Sequence, residues 1–143
     1  MLIKQLSIFV ENKTGRLSEI TEILAKNKID IRALSIADTT DYGILRLIVN
    51  KPNEAMEALK KEAVTVTLTE VIAVEIDDSP GGLHKVVSVL CQSGVSLEYM
   101  YAFLNPKDGM AFVILRVENN ENAIKALSEN GVRIMSENEL YDL

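Results

Sequence analysis

The sequence predicts an α+β fold: two βαββαβ units, each an antiparallel sheet with its helices on one face, packed side by side. Three observations lead there. The turn ENKTGRL (11–17) returns as DDSPGGL (77–83), with Gly15 and Gly81 standing 66 residues apart. Apolar residues repeat at that offset: Leu17 with Leu83, Ile20 with Val86, Leu24 with Leu90, Ile31 with Leu97. Beyond that the offset is 68, pairing Val49 with Val117, Ala55 with Ala123, Leu59 with Leu127 and Val64 with Val132. Such self-similarity marks a tandem duplication, with two extra residues in the second hairpin loop, NPKDG (105–109).

Each element follows from its pattern. Leu6, Ile8 and Val10 alternate with polar or outward positions, as a half-buried strand does. Leu17, Ile20, Ile23 and Leu24 take helical spacing. KIDIRALSIAD is strand-like, with a shift of apolar phase between Ile31 and Leu34 that predicts a bulge. YGILRLIVN is a third strand after a hairpin turn, and Pro52 opens a short helix through Ala55, Met56 and Leu59. AVTVTLT closes the first unit. The second repeats the order: VIAVEI, the helix GLHKVVSVLCQS, VSLEYMYAFL, MAFVILRVE, a helix capped in ENNEN and ended by Gly131, and a final strand VRIMS. This is the ferredoxin-like arrangement, with right-handed crossovers placing both helices on one face. The predicted domains are 1–69 and 70–143. No Gly/Pro/Ser linker separates them, and an even-numbered apolar phase runs from Val64 to Ile76, which predicts units held against each other.

Composition narrows the function. The chain has 143 residues, 48% hydrophobic and 25% charged, with a net charge of −6. That balance argues against nucleic acid as a partner. Single copies of cysteine (Cys91) and histidine (His84) leave no internal disulfide, thiolate cluster or His–His metal pair. No apolar run reaches the roughly 18 residues of a membrane span, and MLIKQLSIFV lacks the build of a signal peptide. A cytoplasmic setting, no cofactor and no metal are the expectations.

The repeated turn is the chemical feature. A glycine-bearing β–α turn aims free backbone N–H groups at one spot, which suits a carboxylate. Glu11 and Asn12 precede it in one copy, Asp77 and Asp78 in the other, and their oxygens suit an ammonium group. The two ends of a free amino acid fit that combination. The plainer alternative is that Asn12 closes a turn, Asp78 or Ser79 caps a helix, and the glycines serve backbone geometry. No GxxxxGK[ST] phosphate loop is present.

Glu-Asn-x-x-Gly-x-Leu on a βαββαβ unit resembles the ACT domain, a regulatory module that senses amino acids. The first unit is most similar to the version in the regulatory subunit of acetohydroxyacid synthase. It carries Lys28-Ile29-Asp30-Ile31 where that version opens its second strand with Gly/Asn-Ile. The second resembles the D-x-P-G-x-L form through Asp78, Pro80, Gly81 and Leu83. The resemblance implies an effector held between two units, by the first turn of one and the start of the second strand of the other. Carried over, the turns give Asn12, Thr14, Gly15, Arg16 and Leu17, and Asp78, Pro80, Gly81, Gly82 and Leu83. Facing them would be Asp30, Ile31 and Leu34 (within 30–34), and Ser96, Leu97 and Met100 (within 96–100). Asp30 and Ser96 depart from the usual amide, and Arg16 opposes Gly82, so two unequal sites are expected, with Arg16 crowding one and Gly82 leaving room in the other.

The implied function is a non-enzymatic regulatory protein. It would bind a free amino acid (branched-chain, histidine, serine or aromatic) and signal to a regulated enzyme. The alternative is a dimerisation or interaction module without ligand. Cys91 reads as a buried, inert thiol. His84 reads as a partly exposed helix residue, with contact to a ligand carboxylate or pH-sensitive binding as its alternative. Tyr99, Tyr101 and Phe103, with Met110, Phe112 and Ile114, predict an exposed apolar sheet face in the second unit, and through it a homodimer or contact with another protein. The first unit has Thr65, Thr67 and Thr69 in its fourth strand instead.

Overall fold

The computed structural model describes residues 1–38, 41–104 and 109–143. The lengthened loop expected at 105–109 therefore lies outside the described residues except for Gly109. The chain divides into two compact modules: an N-terminal one, Lys4–Thr69, and a C-terminal one, Glu70–Leu143 with Met1–Ile3.

The N-terminal module runs β1 (Ile3–Glu11), α1 (Arg16–Lys26), β2 (Ile31–Asp38), β3 (Tyr42–Val49), α2 (Pro52–Lys61) and the opening of β4 (Val66–Asp77). Its strands lie in the order β2-β3-β1-β4. Leu6, Ile8 and Val10 of β1 and Leu45, Leu47 and Val49 of β3 point to the helices. There they meet Ile20 and Leu24 of α1 and Ala55 and Leu59 of α2 in one buried cluster. The bulge falls where the apolar phase slips, between Ile31 and Ala33.

The C-terminal module uses the rest of β4, then α3 (Gly82–Gln92), β5 (Leu97–Ala102), β6 (Met110–Val117), α4 (Asn120–Glu129), β7 (Arg133–Ile134) and α5 (Glu137–Tyr141). Its order is β5-β6-β4, with β7 against β4. Ile72, Val74, Val113 and Leu115 pack on Val86, Leu90, Ala123 and Leu127. Asn119 caps α4 by accepting the Asn122 N–H at 3.0 Å, and Gly131 takes φ 74° just past its end. Both modules are thus α+β, with antiparallel strand pairs and with α1 and α2, or α3 and α4, on one face.

Three expectations change. Cys91 is exposed. The buried stripe of α3 is Val86, Val89 and Leu90, and Cys91 lies one 100° step off it. The open face of the C-terminal module is not an exposed apolar surface, since Phe103, Phe112 and Ile114 are buried. The C-terminus does not end on a strand either. After a two-residue β7 the chain forms α5, whose capping box joins Ser136 and Glu139. Arg133, on the face away from α3 and α4, pairs with both Glu75 of β4 and Glu139 of α5. Those ion pairs tie α5 to the open side, where Met135 and Leu140 are also buried.

Candidate functional site

Both turns are built alike. Gly15 and Gly81 are the N-caps of α1 and α3, at φ 87° and 89°, a left-handed conformation that costs glycine nothing. Neither helix start has a side-chain cap, so Asp78 and Ser79 do not serve as one. The chain does use side-chain caps elsewhere, at Asn119 and Ser136. In α1 the Arg16 N–H reaches Lys13 O and the Glu19 N–H reaches Gly15 O; in α3 Gly82 reaches Ser79 O and Lys85 reaches Gly81 O. Between them the amides of Leu17 and Ser18, and of Leu83 and His84, have no intrahelical acceptor, and the helix dipole adds positive potential at the same place.

The strand leading into each turn is pinned by its hairpin. The Asn12 N–H donates to Asp41 O at 3.1 Å, and the Asp78 N–H donates to Gly109 O at 3.0 Å. Thr14, Pro80 and His84 are exposed, as is the side chain of Asn12. Leu17 and Leu83, which begin the apolar pattern in sequence, are 45% and 37% exposed, so they stand at the turn rather than in the core.

The turns then diverge. A Cβ on Gly82 would lie 2.1 Å from the backbone oxygen of Asp77, so the residue must be glycine to let two backbone segments meet. At the matching position Arg16 carries a side chain, paired with Glu19 at 2.9 Å. There the Glu11 carbonyl accepts the Lys13 N–H at 2.8 Å. Glu11 also pairs with Lys13 at 2.8 Å, and that hydrogen bond, reinforced by the lysine charge, holds its carboxyl below the usual carboxylate range.

Beside the first turn lies a shallow cavity of about 190 Å³ lined by Asn12, Leu17, Ile36, Asp38 and Gly43 among others, and Arg16 lines another of about 370 Å³ with Glu19, Ala58 and Val64. Beside the second lies one of about 430 Å³, reached by Pro80, Gly81, Gly82, Lys85, Met110 and Arg133 among others. Arg133, Ile36 and Asp38 reach the turns only through the folded sheet, whereas Lys85 stands one helical turn past Gly81 on α3.

The other half of the predicted cradle sits elsewhere in each module. Glu11 pairs with Tyr42 at one end of β3, and Ile31 with Val49 at the other. Asp77 and Leu97 likewise sit opposite Met110 and Val117, the two ends of β6. Within one module, the turn and the opening of β2 or β5 therefore do not meet. Asp30 is engaged with Asn50, whose side chain accepts its N–H at 2.9 Å, and with Arg32 at 3.3 Å. The Ser96 carbonyl accepts the Glu118 N–H at 3.0 Å. Ile31 and Leu97 pack against their cores, while Leu34 and Met100 are exposed. Among the described residues no cluster of His, Cys, Asp and Glu suits a metal ion, and no helix is long and apolar enough to cross a membrane.

Two βαββαβ modules, each with a glycine-capped helix start, define a tandem regulatory-type pair, and the chain belongs to the ACT domain pair family, whose model matches residues 1–143. Its structural relatives include protein BT0572 from Bacteroides thetaiotaomicron, 45% identical with a TM-score of 0.94, covering 100% of this chain and 98% of that one. The ligand-free regulatory subunit of aspartate kinase from Thermus thermophilus shares the fold at 17% identity and a TM-score of 0.65, over 91% of this chain and 94% of that one. The Thermus flavus counterpart does so at 17% and 0.61, over 89% and 91%. Among curated proteins nothing matches.

Proposed function

We propose that this chain is a non-catalytic cytoplasmic regulatory protein that binds a free amino acid and passes its bound state to a partner enzyme. The observation that carries the reading is the pair of helix starts at Gly15 and Gly81, left without side-chain caps at matching positions of an ACT pair. Amides without acceptors suit the effector carboxylate, and Asn12 or Asp78 suits its ammonium group. Because each turn is remote from the β2 or β5 opening of its own module, the cradle is completed by another ACT unit. That unit would supply Asp30, Ile31 and Leu34 or Ser96, Leu97 and Met100. The working modules are 1–69 and 70–143. The larger cavity beside Gly82 makes the second turn the stronger site. A branched-chain effector rests on the first module's likeness to the acetohydroxyacid synthase regulatory subunit; histidine, serine and aromatic amino acids are the competitors.

A small ligand of this size binds in the micromolar to millimolar range, about −8 to −4 kcal/mol. A thermal-shift screen of the amino acids at high millimolar concentration tests the reading. At one hundred times Kd the gain is about 2.7 kcal/mol, which appears as a raised melting point. Asp78→Ala should abolish more of that shift than Asn12→Ala. No shift with any amino acid supports a second reading, an interaction module without ligand. The observation favouring that one is the exposure of Leu34 and Ile36 on an edge strand.

A further inference from the structure

The N-terminal module ends on a strand that runs straight on as β4, whereas the C-terminal module ends on a short β7 and the helix α5. A polar clasp centred on Arg133 holds that last helix. One guanidinium nitrogen, Nη1, pairs with Glu75 of β4, and the other, Nη2, with Glu139 of α5. The Glu139 carboxylate is itself divided. Its Oε1 takes Arg133, while its Oε2 accepts the Ser136 N–H at 2.8 Å and the Ser136 hydroxyl at 3.1 Å. One side chain therefore both caps α5 and ties it to the sheet. Glu75 and Arg133 also line the cavity of about 430 Å³ beside Gly81 and Gly82. We infer that Arg133 couples this cavity to α5: a carboxylate taken up there draws Arg133 away from Glu139 and frees the C-terminal helix.

Arg133 offers one positive charge to two carboxylates, and its side chain is 53% exposed, so a third anion can reach it. The cavity is lined by two cations, Lys85 and Arg133, and by Glu75 and Asp77. Counting Glu139, three carboxylates already stand with those two cations, and a fourth competes with the ones in place. Glu75 is fixed within β4, opposite Phe112 on one side and Arg133 on the other. Glu139 stands on a helix of five residues, too short to hold itself by its own hydrogen bonds. Glu139 is thus the partner that yields. Arginine suits such an exchange, because its planar fork pairs with two carboxylates at once.

Met135 and Leu140 are buried while α5 is docked. Freeing the helix bares them, and an exposed apolar patch is a surface that a partner protein can read. The coupling rests on the amino-acid reading for its natural anion and supplies the part that moves. It is also reciprocal: a chain whose Glu139 no longer claims Arg133 takes up the carboxylate more tightly.

Amide hydrogen exchange on the full-length chain tests the coupling, read at Leu140 and Asp142, whose N–H groups donate to Ser136 O and Asn138 O. Lys85→Glu puts a carboxylate in the cavity without any effector, and Lys85→Gln removes the same charge without adding one. The α5 amides should exchange about threefold faster or more in Lys85→Glu than in Lys85→Gln, as when an exposed ion pair is lost, while β6 exchanges alike in both. Equal exchange at α5 overturns the coupling. In an Arg133→Met background α5 should be loose already, and Lys85→Glu should add nothing. An undiminished effect there also overturns the coupling, because its path would not run through Arg133. L-valine, L-histidine, L-serine and L-phenylalanine at high millimolar concentration separate this failure from that of the amino-acid reading. One that raises the melting point should also speed exchange at α5. A raised melting point with α5 unchanged overturns the coupling and leaves the reading standing. No melting shift with any amino acid removes the reading, and the two Lys85 variants still decide the coupling.

Discussion

At Gly15 and Gly81 the two modules place the same residue at nearly the same backbone angles; one residue later the N-terminal module has Arg16 and the C-terminal module has Gly82. The helix start needs the left-handed cap in both. The second glycine answers a different demand, the approach of the Asp77 carbonyl, which the N-terminal module avoids by turning the Glu11 carbonyl to the Lys13 N–H. A duplicated turn thus keeps its helix start while its two strand ends settle differently. Gly82 does sit beside the larger cavity, but its lack of a side chain is required by the backbone first.

The sharpest way to break this comparison is to exchange the residues. Gly82→Arg must displace the Asp77 backbone and should cost about 2–3 kcal/mol in urea unfolding. Arg16→Gly should cost about 1 kcal/mol or less, since it loses only helix propensity and an exposed ion pair. Equal costs would mean the turns do not differ as described. Gly15→Ala and Gly81→Ala test the shared part. Both put a Cβ at positive φ with no other atom nearby, so each should cost about 1–2 kcal/mol, and by similar amounts. Ser136→Ala removes a capping box that, among the described residues, only the C-terminal module has and should cost about 1 kcal/mol. Hydrogen exchange should show the loss confined to α5. The smallest effect concerns Glu11. Its lowered carboxyl makes a contribution that is present above the ordinary carboxylate pKa and fades as pH falls through the lowered one. Lys13→Ala should return its titration, followed by NMR, to the ordinary range.

The repeat made most of the fold legible. Offsets of apolar residues located α1 and α3, the phase slip located the bulge, and Asn119 and Gly131 bounded α4. The C-terminal helix gives no periodic signal, because residues 137–141 are too few and have no counterpart in the first unit; Ser136-x-x-Glu139 is its one local mark. An apolar run on a helix suggests burial throughout, but the buried face is only a stripe, and Cys91 lies off it. Strand alternation says which residues share a side and nothing about what lies over it, so it gives no sign that Phe112 and Ile114 are buried on the open face of the C-terminal module.

The sequence by itself determined the duplication, the order of elements and the glycine-capped turns. Each of these is a local constraint: alternation, helical spacing, or a positive φ. Tertiary structure alone decided that each turn lies at the opposite end of its sheet from its own β2 or β5 opening. It also brought Ile36 and Asp38 to one turn and Arg133 to the other. Those placements depend on strand register, where residues far apart in sequence are set beside each other by hydrogen-bond pairing rather than by local preference.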